Sequence, residues 1–115
     1  YNLTEQQKVI NNYYKGLMNV FPIVFKKQPS ILFQTLGFGA VINALPTVFT
    51  ICISKHNGFK VDEVTKVLYK VRDYDFDNWE QYGTGSGAEI SAGDDFRSAI
   101  QSAFNAHYSD GLLNL

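Results

Sequence analysis

This chain is short of excess charge, of cysteine and of proline, and each shortage removes a class of function. Ten Lys and Arg stand against eleven Asp and Glu, a net charge of −1 over 115 residues. No basic run exceeds two residues, so no strong global field draws in nucleic acid or an anionic membrane. A lone Cys52, set among apolar neighbours, excludes an internal disulfide and a multi-cysteine metal site. It fits a reducing compartment, and its simplest role is that of a small buried hydrophobe. Lysine is absent after Lys70, which denies a phosphate-loop lysine to the C-terminal half. The chain opens at Tyr1 with no charged, signal-like start. A start without Met suggests a fragment or a processed chain, and a single helical domain over 1–115 is expected.

What is present is core-forming material. Hydrophobic residues make up 45% of the chain, including nine Phe, seven Tyr and one Trp. A chain of this size buries roughly two thirds of its unfolded surface, enough for one core. Residues 4 to about 26 carry Ile10, Tyr13, Tyr14, Leu17, Met18, Phe21, Val24 and Phe25 at helical spacing. Thr4 and Gln7 suit a capping box, and Pro22 predicts a break near Val20–Phe21. Ser30 is placed to cap the next helix. Residues 31–53, "ILFQTLGFGAVINALPTVFTICI", hold no charge. Their length would cross a bilayer. Gln34, Asn43 and Pro46, with equal basic flanks that set no orientation, favour a core helix instead, so no membrane is expected. Gly37 and Gly39 would allow close helix approach, and Pro46 would kink or split the helix. "KHNGF" is a helix stop, with Gly58 expected in the left-handed position.

A third helix is predicted over about 61–71, with Val64, Val67, Leu68 and Val71 inward. A last one is predicted over about 94–107, capped by Asp94, with a loose tail after it. The fold class is thus all-α, three to five helices around a central apolar helix at about residues 30–54.

Four groups of residues invite chemistry. Asp73, Asp75 and Asp77 open like a calcium loop. The positions that require Gly and Glu hold Asn78 and Thr84, so a solvated loop with Tyr74, Phe76 and Trp79 inward is expected, and no metal. His56 and His107 have no ligand spacing and suit helix ends. Gly83, Thr84, Gly85, Ser86 and Gly87 could hold an anion or nucleotide on backbone amides ahead of a helix. Their spacing matches neither the dinucleotide nor the P-loop pattern, and Asp94 and Asp95 at the helix start would repel an anion. Tyr13, Tyr14, Tyr69, Tyr74 and Trp79 are candidate anchors for a protein partner. No catalytic residue and no cofactor is assigned.

The order of four segments resembles the C-terminal helical part of the DGQHR-domain proteins, a group that includes the DndB regulators of DNA phosphorothioation clusters. "VINNYYKGLMNVFP" is similar to that family's helix bearing N-Y-[FY] and F-P. "ILFQTLGFGAVINALPTVF" is similar to its leucine-rich segment. "VLYKVRDYDFDNW" is like its short helix and acidic-aromatic loop, and "YGTGSGAEISAGDDFRSAIQSAF" is like its glycine-rich loop and closing helix. The Asp-Gly-Gln-His-Arg string itself does not occur in the chain. The resemblance implies that the chain is the C-terminal piece of a longer bacterial, cytoplasmic protein, a non-enzymatic accessory domain linked to DNA modification, defence or mobile elements, with DNA bound through the full-length protein. The alternatives are an independent helical interaction module and anion or nucleotide binding at the glycine-rich loop 83–95.

Overall fold

A computed structural model describes residues 3–26, 35–83 and 87–113, with side chains described up to residue 105 apart from those of Thr35 and Leu36. Helix α1 runs Leu3–Val20, α2 Pro22–Lys26, α3 Thr35–His56, α4 Val61–Tyr69 and α5 Ala88–Leu113. A 310 segment, Phe76–Tyr82, lies between α4 and α5. No strand occurs among the described residues. The architecture is all-α with α3 at the centre: α3 packs against α5 along most of its length and against α4, while α1 packs on α4.

The first break falls where proline demands it. Pro22 has no amide hydrogen, and the residue before it is steered out of helical geometry, so α1 ends at Val20 and α2 starts at Pro22. Tyr13, Leu17 and Phe21 from this stripe are buried, whereas Met18 is 48% exposed. The Tyr13 hydroxyl donates to the Val41 carbonyl at 2.7 Å, tying α1 to α3 across the core. Pro46 does not split α3, which is continuous through it.

Two expected helix ends move. At the end of α3 the left-handed residue is Asn57, with φ 57°, and not Gly58. Asn tolerates that conformation, and its amide donates to the Ile53 carbonyl at 3.1 Å. Gly58 serves the next helix instead. A Cβ there would lie 2.7 Å from Glu63 Oε1, the carboxylate that accepts from the Lys60 amide to cap α4. The second correction is larger: α5 begins at Ala88, not near Asp94, so Asp94 is no cap. The turn Ala88–Gly93 looks like loop because its inward residues are small. Ala88, Ala92, Phe96 and Ile100 form one buried stripe at i, i+4, i+8, i+12. Gly93 sits where α3 and α5 touch; a Cβ there would lie 2.9 Å from the Ala40 carbonyl oxygen and 2.6 Å from Asn43 Cβ.

By length and composition Gly37–His56 could cross a membrane. In this fold its Ala40, Val41, Ala44, Val48 and Cys52 are fully enclosed within the core. Ser30, the expected cap of α3, lies outside the described residues.

Candidate functional site

The densest side-chain network joins the acidic-aromatic segment to α5. Asp75 starts the 310 segment by accepting from the Asp77 amide at 2.9 Å. That turn buries Phe76 and Trp79 against Phe96 of α5 and Phe21 of the α1–α2 junction. The Phe21 and Phe76 rings meet edge to face, with centroids 4.9 Å apart. Such pairs add about 0.5–1.5 kcal/mol beyond the area they bury. Polar ends of the same rings then converge on one carboxylate. Trp79 Nε1 donates to the Tyr74 hydroxyl at 2.7 Å, and that hydroxyl donates to Asp95 Oδ1 at 2.7 Å. Tyr82 donates to Asp95 Oδ2 at 2.8 Å.

This clasp favours neutral tyrosines. Burial, then the hydrogen bond to Asp95, holds the Tyr74 phenol well above its ordinary value. The bond to Asp95 raises Tyr82 as well. Both phenols donate to a carboxylate, an arrangement that would be lost on ionisation. The clasp is thus a structural fastening whose donors and acceptors are matched.

The five candidate aromatics do not form one surface. Tyr13 and Trp79 are fully buried and present nothing to a partner as folded. Tyr14 is half-buried, stacked near Phe38 with centroids 6.0 Å apart, and burial pushes its phenol up to about 12. Tyr74 is half-buried in the clasp. Tyr69 is 57% exposed. The Arg72 guanidinium lies 4.4 Å from the centre of its ring, and Arg72 Nη1 also donates to the Tyr69 carbonyl at 3.1 Å. The guanidinium thus rests against an aromatic ring at the surface and is itself tied to the backbone beneath it.

In the glycine-rich loop, Gly83 and Gly87 have φ of 69° and 88°, backbone that favours glycine. Thr84, Gly85 and Ser86 lie outside the described residues. Because α5 starts at Ala88, Asp94 and Asp95 lie a turn and a half or more inside it and do not guard its positive end. Asp94 instead pairs with Arg97 at 3.5 Å and accepts from Asn43 of α3 at 3.3 Å. The first-turn acid is Glu89, whose side chain lies beside Gly39.

Cys52 is fully buried, and burial followed by the charge of Glu63 pushes its thiol up to about 12. A thiol so held is a poor nucleophile. Among the described residues no three His, Cys, Asp or Glu side chains gather as a metal site. Sequence reasoning missed Asp95 as the hub and Arg72 as the support of Tyr69. Neither carried a clear sequence signal, since Asp95 counts as a helix-end acid until α5 is known to begin at Ala88.

Comparison with protein-family models, with curated proteins and with solved structures finds no match to this chain.

Proposed function

We propose that this chain is a non-enzymatic helical interaction module, acting as an accessory part of a cytoplasmic, DGQHR-like protein that works on or near DNA. The observation that carries the interaction reading is the Tyr69–Arg72 pair. Tyr and Arg are the residue types that dominate binding hot spots. Here the ring is exposed with a guanidinium beside it, so both residue types are presented together at the surface. The link to DNA rests on the ordered resemblance of the four segments. With a net charge of −1, the DNA contacts belong to the rest of the full-length protein.

Photocrosslinking tests this directly. A benzoylphenylalanine replacing Tyr69 in the full-length gene product should yield one discrete protein adduct, reduced severalfold by Arg72→Ala. Recovery of no adduct at position 69 overturns the interaction reading. A gel shift showing micromolar or tighter duplex binding by residues 1–115 alone overturns the division of labour. An Asp-Gly-Gln-His-Arg string upstream in the reading frame supports the family link, and a start codon directly before Tyr1 sinks it.

A further inference from the structure

The two signs of charge are separated along the chain and change over at one point. Nine of the ten Lys and Arg lie at or before Arg72, and eight of the eleven Asp and Glu lie after it. The surface on either side of that point follows the same split. Val64, Val67, Leu68 and Val71 are buried, which leaves Lys66, Tyr69, Lys70 and Arg72 exposed on α4 and the turn after it. Directly beyond, Asp73, Asp75, Asp77 and Glu80 are exposed on the turn and the 310 segment.

Neither cluster is neutralised within the chain. Among the described residues, none of these seven charged side chains enters an ion pair. The Arg72 guanidinium lies over Tyr69, and the Asp75 carboxylate accepts from the Asp77 amide. Lys66 and Lys70 stand four residues apart, a spacing at which like charges on a helix repel. The chain alone thus keeps two like-charged groups side by side, each the complement of the other. Hollows also open on both sides of the wall that Pro46 and Thr50 make on α3, but they have no charged lining residue and lack this self-complementarity.

We propose that the chain forms a symmetric dimer through residues 66–80, with the basic stretch 66–72 of each copy antiparallel to the acidic stretch 73–80 of the other. A two-fold axis between Arg72 and Asp73 pairs opposite signs twice. It also brings both Tyr69–Arg72 pairs near the centre of the interface, where hot spots concentrate. A net charge of −1 leaves little overall repulsion between copies. A long polyanion fits less well, because the lysines would attract it and the four adjacent carboxylates would repel it. The inference rests on the reading of Tyr69 as a docking residue and names its partner as a second copy of this chain.

Sedimentation equilibrium of the 115-residue chain tests it. At about 50 mM salt a monomer–dimer equilibrium is expected, with a dissociation constant of about 50 μM, weakened about tenfold at about 500 mM salt. Two charge-reversed variants sharpen the test. Lys66→Glu with Lys70→Glu sets acid against acid, and Asp73→Lys with Asp77→Lys and Glu80→Lys sets base against base. Each alone should dimerise at least about tenfold more weakly than the parent. An equal mixture of the two should dimerise again, because each altered stretch then faces its complement; misfolding would not be rescued by mixing. A chain that stays monomeric up to about 1 mM overturns the proposal. So does a dimer indifferent to salt, assembly beyond the dimer, or a variant mixture that remains monomeric. Benzoylphenylalanine at position 69 separates this inference from the reading beneath it. An adduct between two copies supports both, an adduct solely with a different protein sinks the dimer alone, and no adduct sinks both.

Discussion

The clasp around Asp95 and the wall around Pro46 lie in one small fold and treat polar groups in opposite ways. In the clasp, Trp79, Tyr74 and Tyr82 each donate to a defined oxygen, and the rings of Phe21, Phe76 and Phe96 close around them. At the wall, proline withholds a donor from Ile42, and cavities stand open on both sides. The difference is one of pairing. In the clasp every named polar group has a partner within the chain, whereas at Pro46 the Ile42 carbonyl loses the amide donor that any other residue at that position would supply.

Removing the central ring should give the largest effect. Trp79→Ala takes away the bulkiest fully buried side chain and orphans the Tyr74 hydroxyl as an acceptor. A loss of about 4 kcal/mol is expected in denaturant unfolding. A loss below 1 kcal/mol would mean the clasp is not closely packed.

Asp95→Asn comes next. An amide can accept from one tyrosine through its oxygen, while its NH2 must donate to the second phenol, which has to turn from donor to acceptor, so two bonds to a charged carboxylate become weaker neutral ones. About 2 kcal/mol should be lost, and Tyr82→Phe in the Asn variant should cost less than it does in the parent, the signature of a shared network.

The buried phenols, inside the clasp and outside it, also predict an alkaline limit. The phenols of Tyr13, Tyr14 and Tyr74 are raised above their unfolded value of 10.0, with burial the largest cause for each. A raised folded value means that the unfolded chain releases protons first. Stability from this source is therefore complete below about pH 10 and declines as the pH rises through the folded values. Chemical denaturation across pH 8–11.5 should show a plateau and then a fall, and Tyr74→Phe should make the fall shallower.

Leu45→Ala probes the wall and should give the smallest change. Leu45 is only half-buried and already borders open space, so truncation should cost about 1 kcal/mol, well short of a fully buried leucine. If Leu45→Ala costs as much as Trp79→Ala, the contrast between the two regions fails.

Periodicity carried much of the fold. The stripe of α1, the inward set Val64, Val67, Leu68 and Val71, the break at Pro22 and the uncharged central helix were all legible, because large apolar side chains at helical spacing have few other ways to leave water. Early α5 was not legible. Its buried stripe begins with Ala88 and Ala92, and its contact with α3 is a glycine, residues whose side chains say little about which face is inward. The same misplacement hid the clasp, since Asp95 counted as a helix-end acid instead of a side chain beside Phe96. Asn57 displaced Gly58 for a related reason: two residues could adopt the left-handed turn, and the need to leave room for Glu63 gave the glycine other work.

By itself, then, the amino-acid sequence determined a single all-helical core, its central helix and the positions where proline ends or strains a helix. These follow from local sterics and from the spacing of apolar side chains, both of which act over a few residues. Tertiary structure alone decided that Tyr69 is surface and lies against Arg72, that Asp95 gathers two tyrosines, and that hollows open on both sides of Pro46 and Thr50. Those are facts about which helix lies against which, and they depend on contacts between residues tens of positions apart, where no local rule reaches.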